Sequence, residues 1–221
     1  TVDAAPTLSL SLADATTLLG SLTNGYVGYP SADLTITGAI STLVGADGEI
    51  KSDLQKILAS KPDTKIAVTA STLGAPAPTI QQLAALNRAT EGTFTFPLDT
   101  AGLAGSVQDF HDALHGVDGP LTADVTIVES TENSFDANAI SGGLVGVLGK
   151  TTADKVTLRL TDGDINRTRL TVLSSNGKIK ASTGIKLDSS VADVIEGTVS
   201  QLNSALAKVD SSTLSGSNVT V

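Results

Sequence analysis

The chain has 221 residues and a net charge of -9, with 40% apolar residues, only 3% aromatic ones, and no Cys, Met or Trp. That apolar content fills a core built from Ala, Val, Leu and Ile. Zero Cys excludes disulfides and thiolate ligands or nucleophiles, and the acidic balance argues against general affinity for nucleic acid, which comes from Lys and Arg displacing counterions from phosphates.

Short β-branched runs bounded by turn residues predict strands. They begin near Leu8 (LSLSL), Leu34 (LTITG), Ile66 (IAVTAS), Phe94 (FTFPL), Val125 (VTIVES), Val156 (VTLRLTD), Ile185 (IKLDS) and Val219 (VTV), at intervals of 26 to 34 residues. Between most of them, apolar residues fall at helical spacing: Ile50, Leu54, Ile57 and Leu58; Ile80, Leu83 and Leu86; Leu103, Val107, Phe110 and Leu114; Ile140, Leu144, Val147 and Leu148; Val191, Val194, Ile195, Val199, Leu202 and Leu206. A strand-helix unit of about 30 residues therefore repeats roughly seven times. The predicted class is α/β with parallel pairing. DLTITG, TKIAVTAS and VTLRLTD alternate apolar residues with Thr, Lys or Arg, which leaves one sheet face wet. Strands buried on both faces read as continuous apolar runs, so the pattern favours a β-α solenoid-like array over a doubly wound sheet. Residues 1–221 read as one such array, with a sub-boundary near 118–123. Asn176-Gly177 within 163–183 is a hairpin signal, and predicts an inserted antiparallel hairpin. Asp14, Asp99, Asp136 and Asp188 each precede a helical run and are expected to cap it.

Charge is unevenly distributed. Glu91, Asp99, Asp109, Asp112, Asp118, Asp124, Glu129, Glu132 and Asp136 succeed one another with no basic residue between Arg88 and Lys150, and a Lys- and Arg-rich stretch then runs from Lys150 to Lys186. The acidic middle is expected to repel itself and to be stabilised by salt or by calcium.

The segment TKIAVTASTLGAPAPTIQQLAALNRATEGTFTFPLDTAGLAGS, residues 64–106, resembles the degenerate strand-helix repeats of large bacterial surface and secreted proteins: surface layers, adhesins and type I secreted repeat proteins. The resemblance covers about a fifth of the chain and implies a non-enzymatic structural module, extracellular or at the cell surface. Its expected partners are copies of itself, adjoining repeats of a longer chain, or a cell-surface glycan. It does not imply calcium binding, because no glycine-rich nonapeptide repeats are present and DTAGLAG departs from the usual pattern.

Several short patterns could carry chemistry. His111 and His115 in HDALH have the four-residue spacing of a zinc-binding helix, with Asp112 where a zinc protease has its general-base Glu. They form a zinc candidate and support a metal-dependent hydrolase as a third functional reading, after the structural module and an extracellular glycan- or peptide-binding interaction module, against a solvated helix face. Asp162, Asp164 and Asn166 have the one-three-five spacing of a calcium loop, but Arg167 and Leu173 occupy positions an EF-hand reserves for Gly and Glu, so they form a calcium candidate of another kind. GGLVGVLGKTT has one residue too many between its glycines for a phosphate-binding loop. Asn166-Arg-Thr and Asn218-Val-Thr match the glycosylation acceptor pattern. No nucleophile with a positioned base can be named. No apolar run approaches the roughly 18–20 residues of a membrane span. The opening TVDAAPT, without Met, fits removal of a secretory signal, and Ser217–Val221 is expected either to continue into further sequence or to dock against a neighbouring copy.

Overall fold

A computed structural model describes residues 7–21, 33–45, 47–70, 76–129, 143–161, 176–187, 194–196, 198–213 and 218–220. The chain divides into two compact units, one formed by residues 1–97 with 112–118, the other by 98–111 with 119–221.

The first unit carries a four-stranded parallel sheet in the order β1 (Thr7–Ser11), β2 (Asp33–Gly38), β3 (Lys65–Val68), β4 (Phe94–Thr95). Register places Leu10 beside Ile36, Ile36 beside Ile66, and Ile66 beside Phe94. That row is the core side, where Ile36, Ile66 and Phe94 are buried. The opposite parity gives Ser9, Thr35 and Lys65, and then Ser11, Thr37, Ala67 and Thr95, all half-buried or exposed. Helices α1 (Leu12–Ser21), α2 (Ile40–Leu43), α3 (Ser52–Ser60) and α4 (Ile80–Ala89) supply Leu12, Ala15, Leu43, Leu54, Ile57, Leu83 and Leu86 to the buried core.

The second unit repeats the plan. Its four-stranded parallel sheet runs β5 (Leu103–Gly105), β6 (Val125–Glu129), β7 (Val156–Leu160), β8 (Ile185–Leu187), in chain order. Leu103, Val125 and Val156 form one buried row, and Ile127, Leu158 and Ile185 the next. Helix α5 spans Val107–Leu114, α6 Leu144–Gly149 and α7 Val199–Leu206, and a short 3-10 turn covers Ser211–Thr213. A separate parallel pair joins β9 (Val194–Glu196) to β10 (Asn218–Thr220).

All eight predicted strands are present, and β2, β3 and β7 alternate buried with half-buried or exposed residues as expected. Two expectations are corrected. First, no antiparallel hairpin occurs among the described residues: Ile179, just after the Asn176-Gly177 turn, makes a parallel bridge to Val156 and so extends the existing ladder, while residues 162–175 lie outside the described part. Second, Leu103–Gly105 is a strand and α5 begins only at Val107; Asp99 sits in the turn before β5 and caps no helix. β10, within the segment expected to continue or to dock, has an in-chain parallel partner in β9.

Four of the described helices are capped by Ser or Thr rather than by Asp, while Ala39, Lys51 and Gly143 stand at the starts of α2, α3 and α6 without a side-chain cap bond. Ser11 Oγ accepts from the Asp14 amide at 3.1 Å and donates to its carboxylate at 2.7 Å. Ser106 Oγ accepts from the Asp109 amide at 3.1 Å, while the Asp109 carboxylate accepts from the Ser106 amide at 3.1 Å. Thr79 with Gln82 and Thr198 with Gln201 make the same reciprocal box. Each box satisfies donors that a helix leaves unpaired at its first turn. Asp14 therefore acts three residues into its helix, and Asp136 and Asp188 lie outside the described residues.

Candidate functional site

Two clefts open in the first unit. One, of about 610 Å3, lies at the amino ends of the strands, because Asp33, Lys65 and Phe94 each begin one. Lys65 Nζ reaches Asp33 Oδ2 at 2.9 Å across the β2-β3 boundary. That hydrogen bond, reinforced by the Lys65 charge, holds the Asp33 carboxyl below the usual carboxylate range. Asn87 and Thr90, at the end of α4, also line the cleft. Asn87 Nδ2 donates to the carbonyls of Asp112 at 2.7 Å and His115 at 2.8 Å, tying down the end of α5 where helix carbonyls lack partners. The buried Thr90 hydroxyl donates to the Thr64 carbonyl and accepts from the Gly92 amide. A Cβ at Gly92 would collide with the Asp63 and Thr64 carbonyls, so only glycine lets these segments close.

The second cleft, about 590 Å3, lies at the carboxyl ends of β1 and β2 and is lined by Ser11, Thr16, Thr37, Thr42, Lys51 and Asp53. Its hydroxyls serve the fold: Thr16 donates to Leu12 O at 2.7 Å and Thr42 to Ala39 O at 2.7 Å. In α/β sheets ligands collect where strand order reverses; neither described four-stranded sheet reverses.

The second unit presents a polar sheet face. Asp124 precedes β6 and Lys155 precedes β7, so register sets them side by side. Asp124 accepts from Lys180 at 2.6 Å and lies 3.4 Å from Lys155. Its carboxyl is held low, first by the hydrogen bond from Lys180, against an opposing effect of burial. Two positions on, Thr126 pairs with Thr157, and two further on, Val128 pairs with Arg159 and Arg159 with Lys186. Arg159 and Lys186 are exposed. Two other lysines serve the fold, Lys178 donating to Thr151 O at 2.7 Å and Lys208 to Asn176 O at 2.8 Å; burial lowers the Lys208 pKa.

Both histidines of the zinc candidate lie at or near the end of α5. His111 is half-buried within α5, and His115 is exposed just beyond its end, lining the amino-end cleft. The Asp112 carboxylate receives Arg88 at 2.7 Å. Among the described residues no three His, Cys, Asp or Glu gather to hold a metal. Asp162, Asp164 and Asn166 lie outside the described residues. In GGLVGVLGKTT, Leu144–Gly149 is itself helical, whereas a phosphate loop needs its glycines ahead of the helix. Asp112 and Asp124 also show that the acidic middle is partly compensated, by Arg88 in the first unit and by Lys155 and Lys180 in the second. No described helix is long and apolar enough to cross a membrane. The cationic sheet face is not legible in the sequence: VTLRLTD puts Arg159 on the polar parity, but only the register sets it against Lys186.

No known family, curated protein or solved structure matches the chain.

Proposed function

We propose that the chain is a non-enzymatic structural repeat module of a bacterial surface or secreted protein, of the surface-layer or adhesin type, whose strand-helix units stack as a β-α solenoid and associate with further copies or adjoining repeats. The observation that carries this reading is strand order: both four-stranded sheets are wholly parallel and run in chain order, each strand beside its sequence neighbour at a step of about 30 residues. Stacked supersecondary units bury a continuous core in this way. Two measurements test it. Amine-reactive labelling of intact source cells modifies the exposed lysines of a surface protein, and light scattering over a hundredfold concentration range shows mass rising with concentration. A protein labelled only after lysis, or of constant monomer mass, would refute the corresponding half of the proposal.

A second reading, a glycan- or peptide-binding module, is favoured by the polar, half-exposed sheet faces. Glycan and peptide arrays separate it from the first, since a purely structural module binds neither.

A further inference from the structure

The Asn176-Gly177 turn brings together the parts of a reaction that the fold does not use. In an Asn-Gly pair the glycine amide nitrogen can close a small ring onto the asparagine side-chain carbon, with no Cβ on the second residue to hinder it. At this turn Asn176 Oδ1 accepts from the Lys178 amide at 2.9 Å. A backbone N–H therefore polarises the side-chain carbonyl and stands where negative charge would develop on its oxygen during attack. The Gly177 amide, the attacking group, has no hydrogen-bond partner among the described residues, although the Gly177 carbonyl accepts from the Asp154 amide at 3.2 Å. Gly177 is exposed and Asn176 half-buried, which admits water and solvent base. The turn does not itself demand glycine: the Gly177 φ lies outside the left-handed region, and a Cβ there would meet nothing within 4 Å. Asn87 and Asn203 are the contrast, because each lies inside a helix, α4 or α7, where the amide that follows is spent on the helical ladder. Asn87 Nδ2 is also engaged by the carbonyls of Asp112, Ala113 and His115. Asn24-Gly25, the other such pair, lies outside the described residues.

We propose that Asn176 is a site of spontaneous covalent modification, where the folded chain exchanges the side-chain amide for a carboxylate. The Gly177 nitrogen gives its proton to solvent base and bonds to Asn176 Cγ; the Cγ–Nδ2 bond breaks, and Nδ2 leaves as ammonia with a proton from solvent, giving a cyclic imide. Water then opens the ring. Breaking the bond between Cγ and the Gly177 nitrogen yields aspartate, and breaking the bond between that nitrogen and the Asn176 main-chain carbon yields isoaspartate. Each event consumes one water, releases one ammonia and adds one negative charge, with no oxidant or reductant. The inference is independent of the surface-module reading. The two products differ in consequence. Aspartate keeps a side-chain oxygen for the Lys178 amide. Isoaspartate lengthens the main chain by a carbon atom in a turn whose carbonyls are all engaged: that of Asn176 by Lys208 Nζ at 2.8 Å, that of Gly177 by Asp154, and that of Lys178 by the Lys155 and Val156 amides at 3.1 and 3.0 Å. Isoaspartate therefore strains the attachment of this segment to β7.

Incubating the full chain at neutral and mildly alkaline pH, folded and in urea, tests the proposal, with each asparagine followed by peptide mass spectrometry that separates aspartate from isoaspartate. In the folded chain Asn176 should convert at a rate within about tenfold of the unfolded one and at least about tenfold faster than Asn87 or Asn203, and the rate should rise with pH. Gly177→Ala should slow conversion about tenfold or more without lowering the melting temperature, since the added methyl meets nothing. Chains carrying isoaspartate should melt below fresh protein, and Asn176→Asp should melt with it. Conversion of Asn176 only in urea, conversion no faster than at Asn87 and Asn203, or a folded Gly177→Ala variant reacting as fast as the parent would overturn the proposal; an isoaspartyl chain melting with fresh protein would overturn its structural consequence.

Discussion

At the scale of single residues, the informative side chains are those that reach from one strand-helix unit to another. Asp124 is held by two lysines from later in the chain, and its pKa is depressed in the folded state. A depressed carboxyl contributes stability that is present above its unfolded pKa and is lost as pH falls through the folded one. Asp124→Asn should therefore flatten the acid limb of melting temperature against pH, below about pH 4 where unfolded Asp titrates; an unaltered limb would show that the lysine contacts do not persist in solution. Lys208 behaves oppositely. Burial lowers its pKa, so the penalty on its charged form is present at neutral pH and is relieved as pH rises through the folded value. Asn87 bridges to three carbonyls at the end of α5, those of Asp112, Ala113 and His115, and Asn87→Ala leaves them without this donor, at an expected cost of about 1–3 kcal/mol in denaturant unfolding. Gly92→Ala should cost about 1–3 kcal/mol for a different reason, since its new methyl meets backbone rather than a side chain that can move.

At the scale of elements, Ser and Thr caps mark where α1, α4, α5 and α7 begin. Thr79→Ala and Thr198→Ala each remove one box and should destabilise by about 1 kcal/mol, measured by chemical denaturation; replacement by Ser should recover most of the loss. The same signal, Ser or Thr with Asp or Gln three residues later, stands in the sequence at Ser11, Thr79, Ser106 and Thr198 and marks these helix starts correctly. Strand positions are legible because Leu34/Ile36, Ile66/Val68 and Val156/Leu158 alternate with polar residues at period two. Leu103–Gly105 is not legible: Leu103 is in helical phase with Val107, Phe110 and Leu114, and only pairing with β6 draws it into the sheet. β9 is hidden similarly, its Val194 and Ile195 fitting the phase of α7 until β10 supplies a ladder. The Asn176-Gly177 turn is legible, but the parallel bridge from Ile179 to Val156 is not, because a turn signal does not say which older strand the returning chain will meet.

At the scale of the whole molecule, the core is aliphatic and thinly supplied with large side chains, so individual isoleucines matter. Ile66, fully buried between Ile36 and Phe94 in register, should cost about 2–5 kcal/mol as Ile66→Ala. Net charge poses a separate question. Folding of an acidic chain is helped by any cation that binds only the native form, and Asp162, Asp164 and Asn166 keep the spacing of a calcium loop. Millimolar calcium at fixed ionic strength should raise the melting temperature, and Asp162→Asn/Asp164→Asn should abolish that rise; an unchanged midpoint would leave general screening alone.

Strand order has a consequence for how the molecule is made. In each described four-stranded sheet every strand lies beside the one that precedes it in sequence, so no pairing waits on distant segments and loop-closure entropy stays small. During synthesis, the partner of each emerging strand has already left the ribosome. Each sheet can therefore grow from its amino-terminal edge, one strand at a time, with the newest strand always the exposed one.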